Sequence, residues 1–325
     1  MISNYKTIRR ETENCESTLN RPYRAQKVCL PVPPTASSFM GASFMGALFM
    51  TALLPFFLIA CSSAGSDDTQ KAANACEVVG LPSAKSAKII NGDTCDQIQS
   101  AAVVRIAAFV ETSEGTIPVP ICTGTAVSAN QVLTAAHCVT VSSIQGNTIS
   151  GFGIITGEVG NVTVRKAESY SIPPGLASID GALVQDAALL TFEQSLGIAT
   201  LPLLTSQVPN IGETGYVYGY GKRNEGTTVG EGDDFFTLEA GAMTIESVDS
   251  EYVTVLFDGR GTNVCNGDSG GPLIVLRNGK PAVVGLVSQG TVEGCRAGDN
   301  TFFTNIQNVG VESWLTRNAP HATRR

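Results

Sequence analysis

Charge is scarce in this chain and histidine scarcer. Charged residues make up 15% of the 325, and there are only two histidines, His137 and His321. Acidic residues outnumber basic ones by 29 to 21, net charge −8, and no Lys/Arg-rich patch stands out, so nucleic acid is not expected as a partner. The nine cysteines contain no C-x-x-C pair with a histidine nearby, so neither a metal nor another cofactor is expected. Tryptophan occurs once, at Trp314, and there is no internal repeat. A general base working near neutral pH is therefore narrowly placed. His321 lies in a polar stretch at the C-terminus, which leaves His137.

What is abundant is glycine, 34 residues, punctuating short apolar or alternating runs. Strands are predicted at 102–110, 123–127, 132–134, 187–192, 215–218, 252–257, 272–276 and 282–288, separated by Gly, Asn, Asp and Pro turns. The chain reads as all-β, and strand reading alone leaves sandwich and barrel open. Its length allows one large domain or two small ones, and 43% hydrophobic residues suffice for a substantial core.

The N-terminal part reads as export machinery. Residues 39–60 are uncharged and apolar, preceded by Arg21, Arg24 and Lys27, and they end in Leu58-Ile59-Ala60-Cys61. That ending resembles the lipobox of bacterial lipoproteins, which implies lipidation of Cys61 and an anchor in the bacterial cell envelope. Ser62 and Ser63 follow, without the acidic residue of inner-membrane retention, so the outer membrane, or a periplasmic or secreted fate, is expected. The competing reading is a transmembrane helix over the same 22 residues, which Gly41, Gly46 and Pro55 weaken. Residues 1–61 are thus an export signal, 62–88 a polar tether and propeptide, and 319–325 a polar tail.

Two motifs carry the chemistry: Leu133-Thr134-Ala135-Ala136-His137-Cys138 and Cys265-Asn266-Gly267-Asp268-Ser269-Gly270-Gly271-Pro272. A serine hydroxyl attacks at neutral pH only when a base takes its proton, and neutral imidazole is the usual base. Together, and in this order, the motifs resemble those of the trypsin/chymotrypsin-like serine peptidases, over residues 89–318. The resemblance implies two six-stranded antiparallel β-barrels, with a C-terminal helix over 306–317, and a serine endopeptidase acting on proteins or peptides. It makes Ser269 the nucleophile, His137 the base and Asp186, in Asp186-Ala187-Ala188-Leu189-Leu190, the group that orients the imidazole. Asp180 competes for that role but lacks the following apolar strand. Backbone N–H groups of Gly267 and Ser269 would form the oxyanion hole.

The resemblance also implies a zymogen. Lys88-Ile89-Ile90-Asn91-Gly92 matches an activation site, at which an upstream protease would cut after Lys88 and the freed Ile89 amine would pair with Asp268. It pairs Cys122 with Cys138 and Cys265 with Cys295. Cys76 and Cys95 are left without another evident partner and are expected to bond to each other across the cut. In the substrate pocket the acidic base of trypsin-like members is replaced by Asn263, Ser288 and Gly290 lie on the wall strand, and Thr301 narrows the interior. An uncharged, partly filled pocket favours small or medium uncharged P1 side chains and rejects Lys88. Asp299 lies near the same wall and would restore basic specificity under a shifted alignment, while a glutamate-specific pocket fails at Val287. Two other functions compete: a catalytically silent binding protein on the same scaffold, and an esterase, which the chain order His, Asp, Ser disfavours.

Overall fold

The structure, a computed structural model, describes residues 74–82, 92–96, 101–158, 160–221, 237–292 and 295–325. The export segment, Cys61, Lys88 and Ile89 lie outside the described residues. Among those described, no helix is long and apolar enough to cross a membrane.

Two antiparallel sheets form the body. The first runs, in hydrogen-bonded order, through Asn147–Glu158, Val103–Thr112, Gly115–Ser128, Gln131–Thr134, Ala188–Thr191 and Ser169–Ser171, with Asn161–Lys166 beside Asn147–Glu158. The second runs through Glu239–Val248, Thr214–Gly219, Pro272–Arg277, Lys280–Gly290, Asn300–Asn305 and Tyr252–Leu256, which pairs back with Glu239–Val248 and closes a six-stranded barrel. Among the described residues no pairing closes the first sheet, so it is a curled half-barrel where the resemblance implied a second closed barrel.

Many of these strands read as unbroken apolar runs because both their faces are covered. Successive side chains of a strand point to opposite faces. Val104, Val132 and Leu190 therefore enter the core of the first sheet, while their neighbours Val103, Leu133 and Leu189 enter a second cluster shared with Tyr218, Ile274 and Leu286 of the barrel. Val217 and Leu273, on the other face of the barrel strands, fill the barrel interior with Ile245, Val255 and Phe303. The shared cluster holds the two sheets together.

Two helices dock on the same cluster. The helix α1, Ala75–Val78, buries Ala75 and Cys76 there, and the Tyr218 hydroxyl donates to the Ala75 carbonyl. Next to it Asp93 and Thr94 pair with Ala240 and Glu239 of the barrel edge, and a disulfide joins Cys76 to Cys95. The helix α2, Val309–Asn318, starts where Asn308 Oδ1 accepts the N–H groups of Gly310 and Val311, an N-cap worth about 1 kcal/mol, and it buries Val311, Trp314 and Leu315. After α2 the chain turns back: the Leu203 N–H donates to the Thr323 carbonyl and the Arg325 N–H to the Leu203 carbonyl. The last residues are thus tied to the domain, with His321 exposed.

Candidate active site

Antiparallel pairing brings two of the site residues together. Ala188 lies opposite Thr134, so the chain just before the first and just after the second emerges at one end of the sheet. There His137 sits in a single turn of 3-10 helix, Ala136–Cys138, pinned by the Cys122–Cys138 disulfide and by the Thr134 hydroxyl donating to the Thr123 carbonyl. Asp186 is wholly buried, while the His137 side chain is 31% exposed. The Asp186 carboxyl accepts the His137 backbone N–H at 2.9 Å on Oδ1, and on Oδ2 it meets His137 Nδ1 at 2.7 Å and the Ser288 hydroxyl at 2.6 Å. Thr304 Oγ1 donates to its carbonyl at 3.0 Å.

These contacts decide the protonation pattern. Burial opposes ionisation of Asp186, but the donors from His137 and Ser288 outweigh it and hold the carboxyl below its ordinary range. An ionised carboxylate only accepts, so Nδ1 of His137 carries the proton and, in the neutral ring, Nε2 keeps its lone pair. That is the tautomer a general base requires.

Ser269 lies on a loop clipped from three sides. The Cys265–Cys295 disulfide holds its start, and Gly270 N–H and Gly271 C=O bond to Val287 on the wall strand. Thr123 donates its N–H to the Ser269 carbonyl and its hydroxyl to the Gly267 carbonyl, each at 2.9 Å. Cys138 Sγ, next to His137, is 3.8 Å from the Ser269 carbonyl oxygen. The backbone N–H groups of Gly267 and Ser269 have no protein acceptor among the described residues. Gly270 has φ +78°, and a Cβ there would collide with Thr134 Oγ1 and the Ala135 nitrogen, so only glycine lets the loop lie this close to the histidine turn. No hydrogen bond joins Ser269 Oγ to His137.

Asp268 points the other way, into the protein. It is buried, with Oδ1 accepting the Gly221 N–H and Oδ2 the Cys265 N–H, each at 2.8 Å. No cation pairs with it among the described residues. Burial pushes its carboxyl up, against the pull of those two donors, to about 7. Gly219 and Gly221 pack flat against it, and a Cβ at either would strike the carboxyl group.

Beside Ser269 opens a cleft of about 360 Å³, lined by Ser288, Gln289, Gly290 and Asp299 among others. Asn263 and Thr301 do not line it. They are buried behind the wall, where Thr301 Oγ1 donates to Asn263 Oδ1 at 3.1 Å and Asn263 Nδ2 donates to the Cys295 carbonyl at 3.1 Å. Ser288 lines the cleft, and its hydroxyl also serves Asp186, a role sequence reading missed. The signal lies in a register shift between Val287 and Gln289: an extra residue there re-aims Ser288. Thr123 and Thr304 also bond to the loops of the site, and no motif marks them, whereas Asp299 lines the cleft near the wall where the sequence placed it. Cys122, His137 and Cys138 bring ligand-type atoms within 4.8 Å of one another, but both sulfurs are spent in the disulfide.

Comparison with known proteins points to one family. The trypsin family model matches residues 89–315. A trypsin of Saccharopolyspora erythraea is 31% identical over 191 residues, 54% of this chain and 76% of the relative. Brachyurin of Leptuca pugilator is 27% identical over 197 residues, 57% and 82% of the two chains, and a chymotrypsin-like elastase family member 1 of Rattus norvegicus is 27% identical over 209, 60% and 77%. With its two-sheet fold, its disulfides and a family match across more than half its length, the chain belongs to the trypsin family of serine peptidases.

Proposed function

We propose that this chain is the zymogen of a serine endopeptidase whose triad is Ser269, His137 and Asp186. One observation carries the reading: a buried carboxylate holds Nδ1 of a half-exposed histidine at 2.7 Å, next to a serine loop with two unengaged backbone N–H groups. In the reaction Ser269 Oγ attacks the scissile carbonyl carbon as its proton passes to His137 Nε2. Asp186 stabilises the imidazolium that forms. The carbonyl oxygen, now an oxyanion, accepts the Gly267 and Ser269 N–H groups, each such donor being worth about 3 kcal/mol in the transition state. Collapse expels the amine with the proton from His137, and water repeats the sequence to free Ser269.

Activation follows from Asp268. Cleavage after Lys88 would free the Ile89 amine, and the buried carboxylate that now has only two N–H donors would gain a cation. Export and lipid attachment at Cys61 complete the proposal and rest on the sequence of residues 39–61. The test of the reaction is Ser269→Ala in the cleaved enzyme. Labelling by a fluorophosphonate and peptide hydrolysis should both vanish, the latter by about 10⁶-fold in kcat, with the circular dichroism unchanged. Retained hydrolysis in that variant would sink the assignment. Absence of labelling in the cleaved wild type would favour a silent binding protein instead.

A further inference from the structure

The wall of the cleft contains a carboxylate that the base lacks. Asp299 is only 3% exposed, yet it is one of the residues facing the cleft beside Ser269. Its two oxygens have different surroundings. Oδ1 is saturated: it accepts the Thr291 N–H at 2.7 Å, the Val292 N–H at 3.0 Å and the Thr291 hydroxyl at 3.2 Å. Oδ2 has only a long contact, 3.4 Å, from Asn263 Nδ2, and so retains acceptor capacity. Oδ2 lies over Gly290, 2.8 Å from where a Cβ would stand, so the missing side chain of Gly290 is what makes room for it on the pocket wall. No lysine, arginine or histidine pairs with Asp299 among the described residues, and a carboxylate taken out of water without a cation is costly. Asn263 offers nothing comparable, because Thr301, Cys295 and Asp299 already use its amide.

We infer that Asp299 is the specificity residue of the pocket, its Oδ2 taking the ammonium or guanidinium of a P1 lysine or arginine. This rests on the peptidase reading and reverses the preference that Asn263 and Thr301 imply in the sequence. The relatives leave the point open, since trypsin, brachyurin and elastase names occur among them at similar identity.

The enzyme cleaved to start at Ile89 is assayed on peptide amides that differ only in P1: Lys, Arg, Ala, Leu. Wild type should favour the basic pair by about 100-fold or more in kcat/KM. Asp299→Asn keeps an oxygen for the Thr291 and Val292 N–H groups but removes the charge. It should lose about 100-fold on Lys and Arg while Ala and Leu stay within about threefold. A wild-type preference for Ala or Leu, or an equal loss on all four substrates, would overturn the inference and leave Asp299 as a loop tie. A measurement on wild type alone guards against a variant that fails to fold: benzamidinium should protect Ser269 from fluorophosphonate labelling, and absence of protection refutes the inference. Should wild type neither label nor cleave any of the four, it is the peptidase reading that fails.

Discussion

Replacing Asp268 by asparagine should abolish a pH dependence that the uncleaved chain carries in its stability. The Asp268 carboxyl is buried and lifted from an ordinary 3.8 to about 7. Because the folded value lies above the unfolded one, the folded chain holds a proton between about pH 4 and pH 7 that the unfolded chain has released. Stability must therefore fall as pH rises through that window and level off above it. The full loss is of the order of 4 kcal/mol at 1.36 kcal/mol for each pH unit between the two values. With a urea dependence of about 3 kcal/mol/M, the unfolding midpoint should drop by roughly 1 M between pH 5 and pH 8. Urea titrations of the uncleaved chain in a Ser269→Ala background, which prevents self-cleavage, would measure it, with and without Asp268→Asn. One backbone donor then faces an amide NH₂, so absolute stability changes too, and the readout is the difference in pH slope. Parallel slopes in the two proteins would refute the argument. Cleavage after Lys88 should supply the missing cation, so the cleaved Ser269→Ala protein should also lose the slope.

Ser288→Ala removes a donor from the Asp186 carboxylate, and a hydrogen bond to a charged group is worth about 1.5–3 kcal/mol, so kcat/KM should fall by about 10- to 100-fold with the fold intact. Steady-state kinetics on one substrate checks this, and an unchanged rate would show that His137 alone holds the carboxylate. Since the Cys76–Cys95 disulfide straddles Lys88, cleaved material should run as one band without reductant and as two with it. The mature enzyme, through Asp299, should itself make that cut in the Ser269→Ala full chain, exposing Ile89. N-terminal sequencing decides, and a resistant Lys88 bond would return activation to an outside protease.

The candidate site was legible where chemistry demands particular residues in a short span. A chain with two histidines, one of them in Thr134-Ala135-Ala136-His137-Cys138, leaves little choice of base, and the glycines around Ser269 mark a loop that only they can form. Strands with both faces covered were legible as apolar runs. Asn147–Glu158 and Glu239–Val248 were not read as strands, because glycines and exposed polar residues interrupt them and their pairing depends on distant partners. Asp186 and Ser288 are 102 residues apart, and Asn263 and Asp299 are 36 apart. Such contacts have no local signature: a bulge at Ser288 and the fold of the wall set them. Sequence by itself determined the family and marked the candidate reactive groups in their order, since covalent chemistry tolerates few substitutes. Only the tertiary structure decided what surrounds each group, that Asp268 is buried with no cation among the described residues, that Ser288 donates to Asp186, and that a carboxylate faces the cleft beside Ser269, because burial and hydrogen bonding across long separations exist only once the sheets have closed on one another.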